Sequence, residues 1–137
     1  MKGSSLAIET VRTAKRSEMI DVTDRVAAIV SKLGVKEGMA IVSVPHTTAA
    51  CTINENADPD VRHYMLLKLE ELIPKRESYY RHNEGNSDSH VKSSLVGTTV
   101  TVLIESGELL LGTWQGIYFC EFDGPRDRTM HVKIVAF

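Results

Sequence analysis

Three stretches of the chain concentrate side chains that can move protons, ligate metals or grip anions. In Val44-Pro45-His46-Thr47-Thr48-Ala49-Ala50-Cys51-Thr52-Ile53-Asn54-Glu55, an apolar run ends in Pro-His and resumes toward an Asn-Glu pair. An imidazole with an ordinary pKa of about 6.5 can serve there as a metal ligand or a general base. The same histidine also reads as a turn residue capping exposed backbone, with Asn54 and Glu55 merely leading into a helix. The second stretch, Tyr80 to His90, sets His82 and His90 eight positions apart with Glu84, Asn86 and Asp88 between them. That spacing is not the HExxH pattern, whose histidines share one helical face, so it leaves a metal site and a solvated polar loop both open. The third comprises Gly112-Thr113-Trp114-Gln115 and the turn Asp123-Gly124-Pro125-Arg126-Asp127-Arg128. Arginines at a tight turn are shaped to hold phosphate in bidentate fashion; as surface charges on a hairpin they would only balance their neighbours. Trp114 reads as a packing residue, whereas Gln115 beside it has no apolar role. His63 and His131 have no comparable neighbours and read as structural.

The elements that must position these residues are mostly strands. Residues 6–15, 38–44, 49–54, 98–104, 108–111, 113–122 and 129–136 are enriched in Val, Ile, Thr and aromatics, with Thr99 to Val102 alternating at a period of two. Ser106-Gly107 and Asp123-Gly124 mark turns, which makes the C-terminal part an antiparallel meander. Two helices are expected. Val26, Ile29, Val30 and Leu33 recur at helical spacing, with Asp21 or Thr23 as cap and Gly34 as stop. The second opens at Asp58-Pro59, carries Val61, Met65, Leu69 and Leu72 on one face, and stops before Pro74. Pro74 to Ser89 reads as one long loop, a length that in compact domains points to function or disorder. Hairpins without regular βαβ alternation give the expected class: α+β, a two-sheet, mostly antiparallel β-sandwich with two main helices.

Composition narrows the partners. The 137 residues, one domain's length, carry 16 Lys plus Arg against 18 Asp plus Glu, a net charge of −2, which offers no basic surplus for phosphate backbones and removes nucleic acid as an expected partner. No apolar stretch approaches the roughly 20 residues that cross a bilayer, and MKGSSLAIET lacks a signal-peptide core, so the expectation is a soluble, cytoplasmic protein with no membrane partner. Cys51 and Cys120 lie far apart without a CxxC spacing and read as small buried hydrophobes.

Taken in order, the clusters resemble the YjbQ-like family, also called the secondary thiamine-phosphate synthase family. The resemblance spans nearly the whole chain. It rests on His46-Thr47-Thr48-Ala49-Ala50 with Ile53-Asn54-Glu55; on His82, Asn86 and His90; on Gly107 through Leu111-Gly112-Thr113-Trp114-Gln115; and on Asp123-Gly124-Pro125-Arg126 with Arg128. One position departs: many relatives carry an acid on the second helix where this chain has Tyr64, so no role of that acid is carried over. The resemblance implies a sandwich with helices, a homotrimer, and a polar pocket near subunit boundaries. Bringing His46, His82 and His90 together would supply three neutral nitrogen ligands for a divalent metal, zinc-like or magnesium, with a position left open. Catalytic roles would fall to His46, Glu55, Asn86 and Gln115, and substrate binding to Asn54, Arg126 and Arg128. The implied activity is a thiamine-phosphate synthase-type transfer, or another metal-assisted reaction of a small phosphorylated metabolite. The alternative is a non-catalytic trimeric module that binds a metal or metabolite. Three consecutive leucines, Leu109 to Leu111, support assembly, because a strand must turn some of them away from its own core.

Overall fold

The computed structural model describes residues 3–81 and 84–137. Its strands are β1 (Gly3–Arg12), β2 (Glu18–Asp21), β3 (Gly38–Ser43), β4 (Ala49–Glu55), β5 (Thr99–Glu105), β6 (Glu108–Leu109), β7 (Gln115–Glu121) and β8 (Asp127–Ala136). The helices are α1 (Thr23–Leu33), α2 (Pro59–Leu72) and α3 (Ser87–Val96). A larger sheet runs β1-β8-β3-β5-β6 and a smaller one β2-β7-β4, every pairing antiparallel. The expected α+β sandwich is therefore the fold.

Alternation along the strands explains how the sheets meet. In β8, Arg128, Met130, Val132 and Ile134 are buried while the residues between them are not. Met130, Val132 and Ile134 join Ala40, Val42, Val102 and Ile104 of the larger sheet, and face Ala49, Cys51, Ile117 and Phe119 of the smaller one. Val26 and Val30 of α1 close the same core. The helix begins where Asp21 accepts from the Thr23 backbone N–H at 2.9 Å, and it ends at Gly34, whose φ of +68° is the left-handed turn glycine provides. The far face of the smaller sheet carries Met19, Ala50, Tyr118, Cys120 and Phe122 and is covered by Met65, Leu66 and Leu69 of α2 with Val96 of α3.

Several details differ from the sequence reading. The predicted strand 6–15 ends at Arg12, and the chain crosses to the smaller sheet as β2. Helix α2 is capped as expected, Asp58 accepting from the Asp60 N–H at 2.9 Å, yet it has no fully buried residue, because it roofs an apolar cavity of about 330 Å³ over Met19, Cys120 and Phe122. A third helix, α3, occupies what read as the end of a loop and the segment after it. Trp114 is exposed rather than packed, while Leu109 and Leu111 lie against the core and Leu110 faces out.

Candidate functional site

Four segments meet at one end of the sandwich. The link between β3 and β4 brings Pro45 to Thr48, the approach to α3 brings Glu84 and Asn86, α3 itself brings His90, and the turn from β7 into β8 brings Asp123, Arg126 and Arg128. Together they line a pocket of about 450 Å³. The β7–β8 turn is held tightly: a Cβ on Gly124 would lie 2.2 Å from the Lys15 carbonyl oxygen, so only glycine fits that approach.

Arg128 forms the floor, paired with the fully buried Glu121. The Arg128 Nε donates to both Glu121 carboxylate oxygens at 2.9 and 3.1 Å, and its Nη2 bonds Glu121 and, at 2.8 Å, the Thr48 hydroxyl. Glu121 also accepts from the Thr13 hydroxyl at 2.7 Å and from the Phe122 and Asp123 N–H groups, each at 3.1 Å. Burial would push the Glu121 carboxyl up, but bonds from Arg128, Thr13 and Asp123 outweigh it and hold the group below its ordinary value. Arg126 stands half-exposed above this floor, its Nε donating to the Asp123 carbonyl at 2.8 Å and its Nη2 to Asp123 Oδ2 at 2.9 Å.

His46 takes a defined protonation state. Its Nε2 accepts from the Thr129 backbone N–H at 2.9 Å, a bond only an unprotonated nitrogen can accept. Burial, with nearby Arg128 second, lowers its pKa below the ordinary value. The neutral ring therefore carries its proton on Nδ1. A metal bound through Nε2 would break the Thr129 bond, and one bound through Nδ1 would face a protonated nitrogen, so His46 as placed does not fit a metal ligand. Among the described residues, no group of three His, Cys, Asp or Glu side chains is set to hold a metal ion. His82 lies outside the described residues.

Of the sequence candidates, the structure brings His46, Asn86, His90, Arg126 and Arg128 into this pocket. Asn54, Glu55 and Gln115 lie elsewhere. In the β4–β7 ladder Ala49 pairs with Glu121 at the pocket end and Glu55 pairs with Gln115 six residues along, a separation of about 20 Å at strand rise. There Asn54 Oδ1 accepts from the Glu55 N–H at 2.7 Å and Gln115 Oε1 from the Gly112 N–H at 2.8 Å, both local backbone roles. Cys51 is buried in the main core, its thiol pushed up to about 11, and it does not line the pocket.

Residues given no site role by the sequence support the pocket from behind. Asp88 is buried between Arg16 and Lys92: Arg16 Nη2 reaches Oδ1 at 2.9 Å, and Lys92 Nζ reaches Oδ2 at 2.9 Å and Glu70 at 2.8 Å. Burial raises the Asp88 carboxyl, but bonds from Arg16 and Lys92 prevail and keep it low. On the same side of α3, Ser89 donates to the Phe122 carbonyl and Ser93 to the Ala49 carbonyl. The available signals were Asp88 and Lys92 one helical turn apart and an acid, Glu121, inside the apolar run Ile117 to Phe122.

Fold and pocket define a class: an antiparallel α+β sandwich with an imidazole–arginine pocket at one end. Within that class, residues 8–136 match the family model described as UPF0047 protein YjbQ-like, and the chain belongs to this family. It is 53% identical over 126 residues to the UPF0047 protein YugU of Bacillus subtilis, covering 92% of this chain and 96% of that one. It is 54% identical to the UPF0047 protein MJ1081 of Methanocaldococcus jannaschii, covering 92% and 91% respectively. A crystal structure of a YjbQ/UPF0047 family protein from Clostridium acetobutylicum superposes with a TM-score of 0.92 at 51% identity, over 94% of this chain and 99% of that one. A YbjQ-like protein from Sulfolobus solfataricus also gives 0.92, at 33% identity and 98% of each chain.

Proposed function

We propose that this pocket is the active site of an enzyme acting on a small phosphorylated metabolite, with thiamine-phosphate synthase-type transfer as the reaction the family resemblance suggests. The observation that carries the reading is the convergence of His46, His90, Asn86, Arg126 and Arg128 from four segments on one concave site. Arg126, oriented by Asp123, offers a guanidinium to a phosphate, and the N-terminal end of α3 adds a favourable field for an anion. In a transfer that expels pyrophosphate, charge develops on the leaving oxygens, where a preorganised cation acts best. His46, neutral with its proton on Nδ1, is placed to donate a hydrogen bond to a developing oxyanion while keeping that proton, and His90 lines the same pocket.

Assembly as a homotrimer is part of the proposal. Leu6, Ile8 and Leu103 are more than half exposed on the outer face of the larger sheet, an apolar surface that a second copy would cover.

The test joins binding to turnover. Pyrophosphate should bind the wild type and bind Arg126→Lys about tenfold more weakly, because an ammonium keeps the charge but loses the planar fork. Release of pyrophosphate from a pyrimidine diphosphate and a thiazole phosphate should fall by about 100-fold in His46→Ala and His90→Ala. Equal pyrophosphate affinity in Arg126→Lys and wild type, with full turnover in both histidine variants, overturns the reading.

A further inference from the structure

Asn86 holds an unspent hydrogen-bond acceptor in this pocket. The residue is only 3% exposed and occupies the N-cap of α3, where an asparagine ordinarily uses its side-chain oxygen to accept from a first-turn N–H. Here that bond is not made. The amide nitrogen instead donates to Asp123 Oδ2 at 2.7 Å and lies 3.5 Å from Glu84 Oε2. The amide cannot be turned over, because rotation would set its carbonyl oxygen against those carboxylates. Asp123 is itself fixed by Arg126 at 2.9 Å, so the orientation is locked through two charged groups. What remains is Asn86 Oδ1, buried and without a hydrogen-bond partner among the described residues. Native proteins rarely leave such an atom unpaired, since it forfeits its hydration for nothing.

The same side chain lines the cavity shared with His46 and Arg126. We infer that Asn86 Oδ1 accepts a hydrogen bond from the ligand, so that the site selects a phosphate ester whose body carries an O–H or N–H donor close to the phosphate. This rests on the phosphate reading of the pocket. It adds a second recognition point, opposite in character to the first: Arg126 donates to the anionic end, and Asn86 accepts from the neutral body. A bare phosphate or simple alkyl phosphate satisfies only the former. Recognition of this kind discriminates strongly, because an analogue lacking the donor leaves the buried acceptor unpaired in the complex too.

The experiment compares ethyl phosphate with 2-hydroxyethyl phosphate, which share the same phosphate and chain length and differ by one hydroxyl. NMR titration of the full chain should show the hydroxylated ester binding about tenfold more tightly. In Asn86→Ala the two should converge to within about twofold, and Asn86→Ser, too short to reach the same donor, should do the same if the alanine variant fails to fold. Both esters should weaken in Arg126→Ala. Equal binding of the two esters by wild type overturns the inference while leaving the phosphate reading in place, as does a preference that survives in the Asn86 variants. Absence of binding by either ester overturns the phosphate reading and the inference together.

Discussion

Replacing Arg128 by methionine removes the one cation bonded to Glu121 among the described residues, a carboxylate whose side chain is fully buried. Breaking a buried pair from one side costs about 3–5 kcal/mol, because the remaining charge stays desolvated. Glu121 would still accept from Thr13 and from the Phe122 and Asp123 N–H groups, which places the expected loss near the lower end, about 3 kcal/mol. At about 2.1 cal/mol/K per residue, 137 residues give an unfolding entropy of about 290 cal/mol/K, so Tm should drop by about 10 °C. Urea unfolding at fixed protein concentration measures the loss directly. The pH dependence identifies its source. In wild type the Glu121 carboxyl is held low, so the stability it contributes is present above the ordinary carboxylate range and is lost as pH falls through the folded value. Without Arg128 it takes up a proton more readily, and the difference between variant and wild type should shrink on acidification. The double variant Glu121→Met/Arg128→Met should recover part of the loss, since no unpaired charge remains although Thr13 and the Asp123 N–H lose the acceptor that Glu121 provided. A loss below about 1 kcal/mol, or one that does not change between about pH 7 and about pH 4, would refute the argument that Arg128 is committed to Glu121.

His46 should titrate with a midpoint below the ordinary 6.5 by NMR, and a midpoint at or above that value would contradict its neutral, Thr129-bonded state. Its contribution to stability should be present above about pH 6.5 and lost as pH falls through the folded midpoint. Light scattering at low micromolar concentration should give the mass of three 15.2 kDa chains, and one chain's mass, unchanged on dilution, rules the trimer out.

Much of the fold was legible because its apolar residues follow simple periods. Val26 and Val30 mark the buried stripe of α1, Gly34 ends it, and the alternation in β8 separates core from surface. Helix α3 escaped that reading for a physical reason. Its buried residues are Asp88, Ser89, Lys92 and Ser93, whereas Val91 and Leu95 point outward, so its pattern is inverted relative to an ordinary amphipathic helix. The site was legible as far as His46, His90, Asn86 and the arginines, because their residue types stood out locally. The grouping of Asn54, Glu55 and Gln115 with them was not resolvable by sequence, because nearness along the chain becomes distance along an extended strand.

The inverted mounting of α3 has a thermal consequence. Apolar attachments such as that of α1 carry a large positive heat capacity of release, and their strength therefore bends with temperature. Detaching α3 would hydrate mainly carboxylate, ammonium, hydroxyl and carbonyl groups, whose exposure lowers heat capacity instead. The hold on α3 should thus vary less steeply with temperature than the hold on the rest of the core, keeping His90 and Asn86 in register on cooling, when apolar packing weakens.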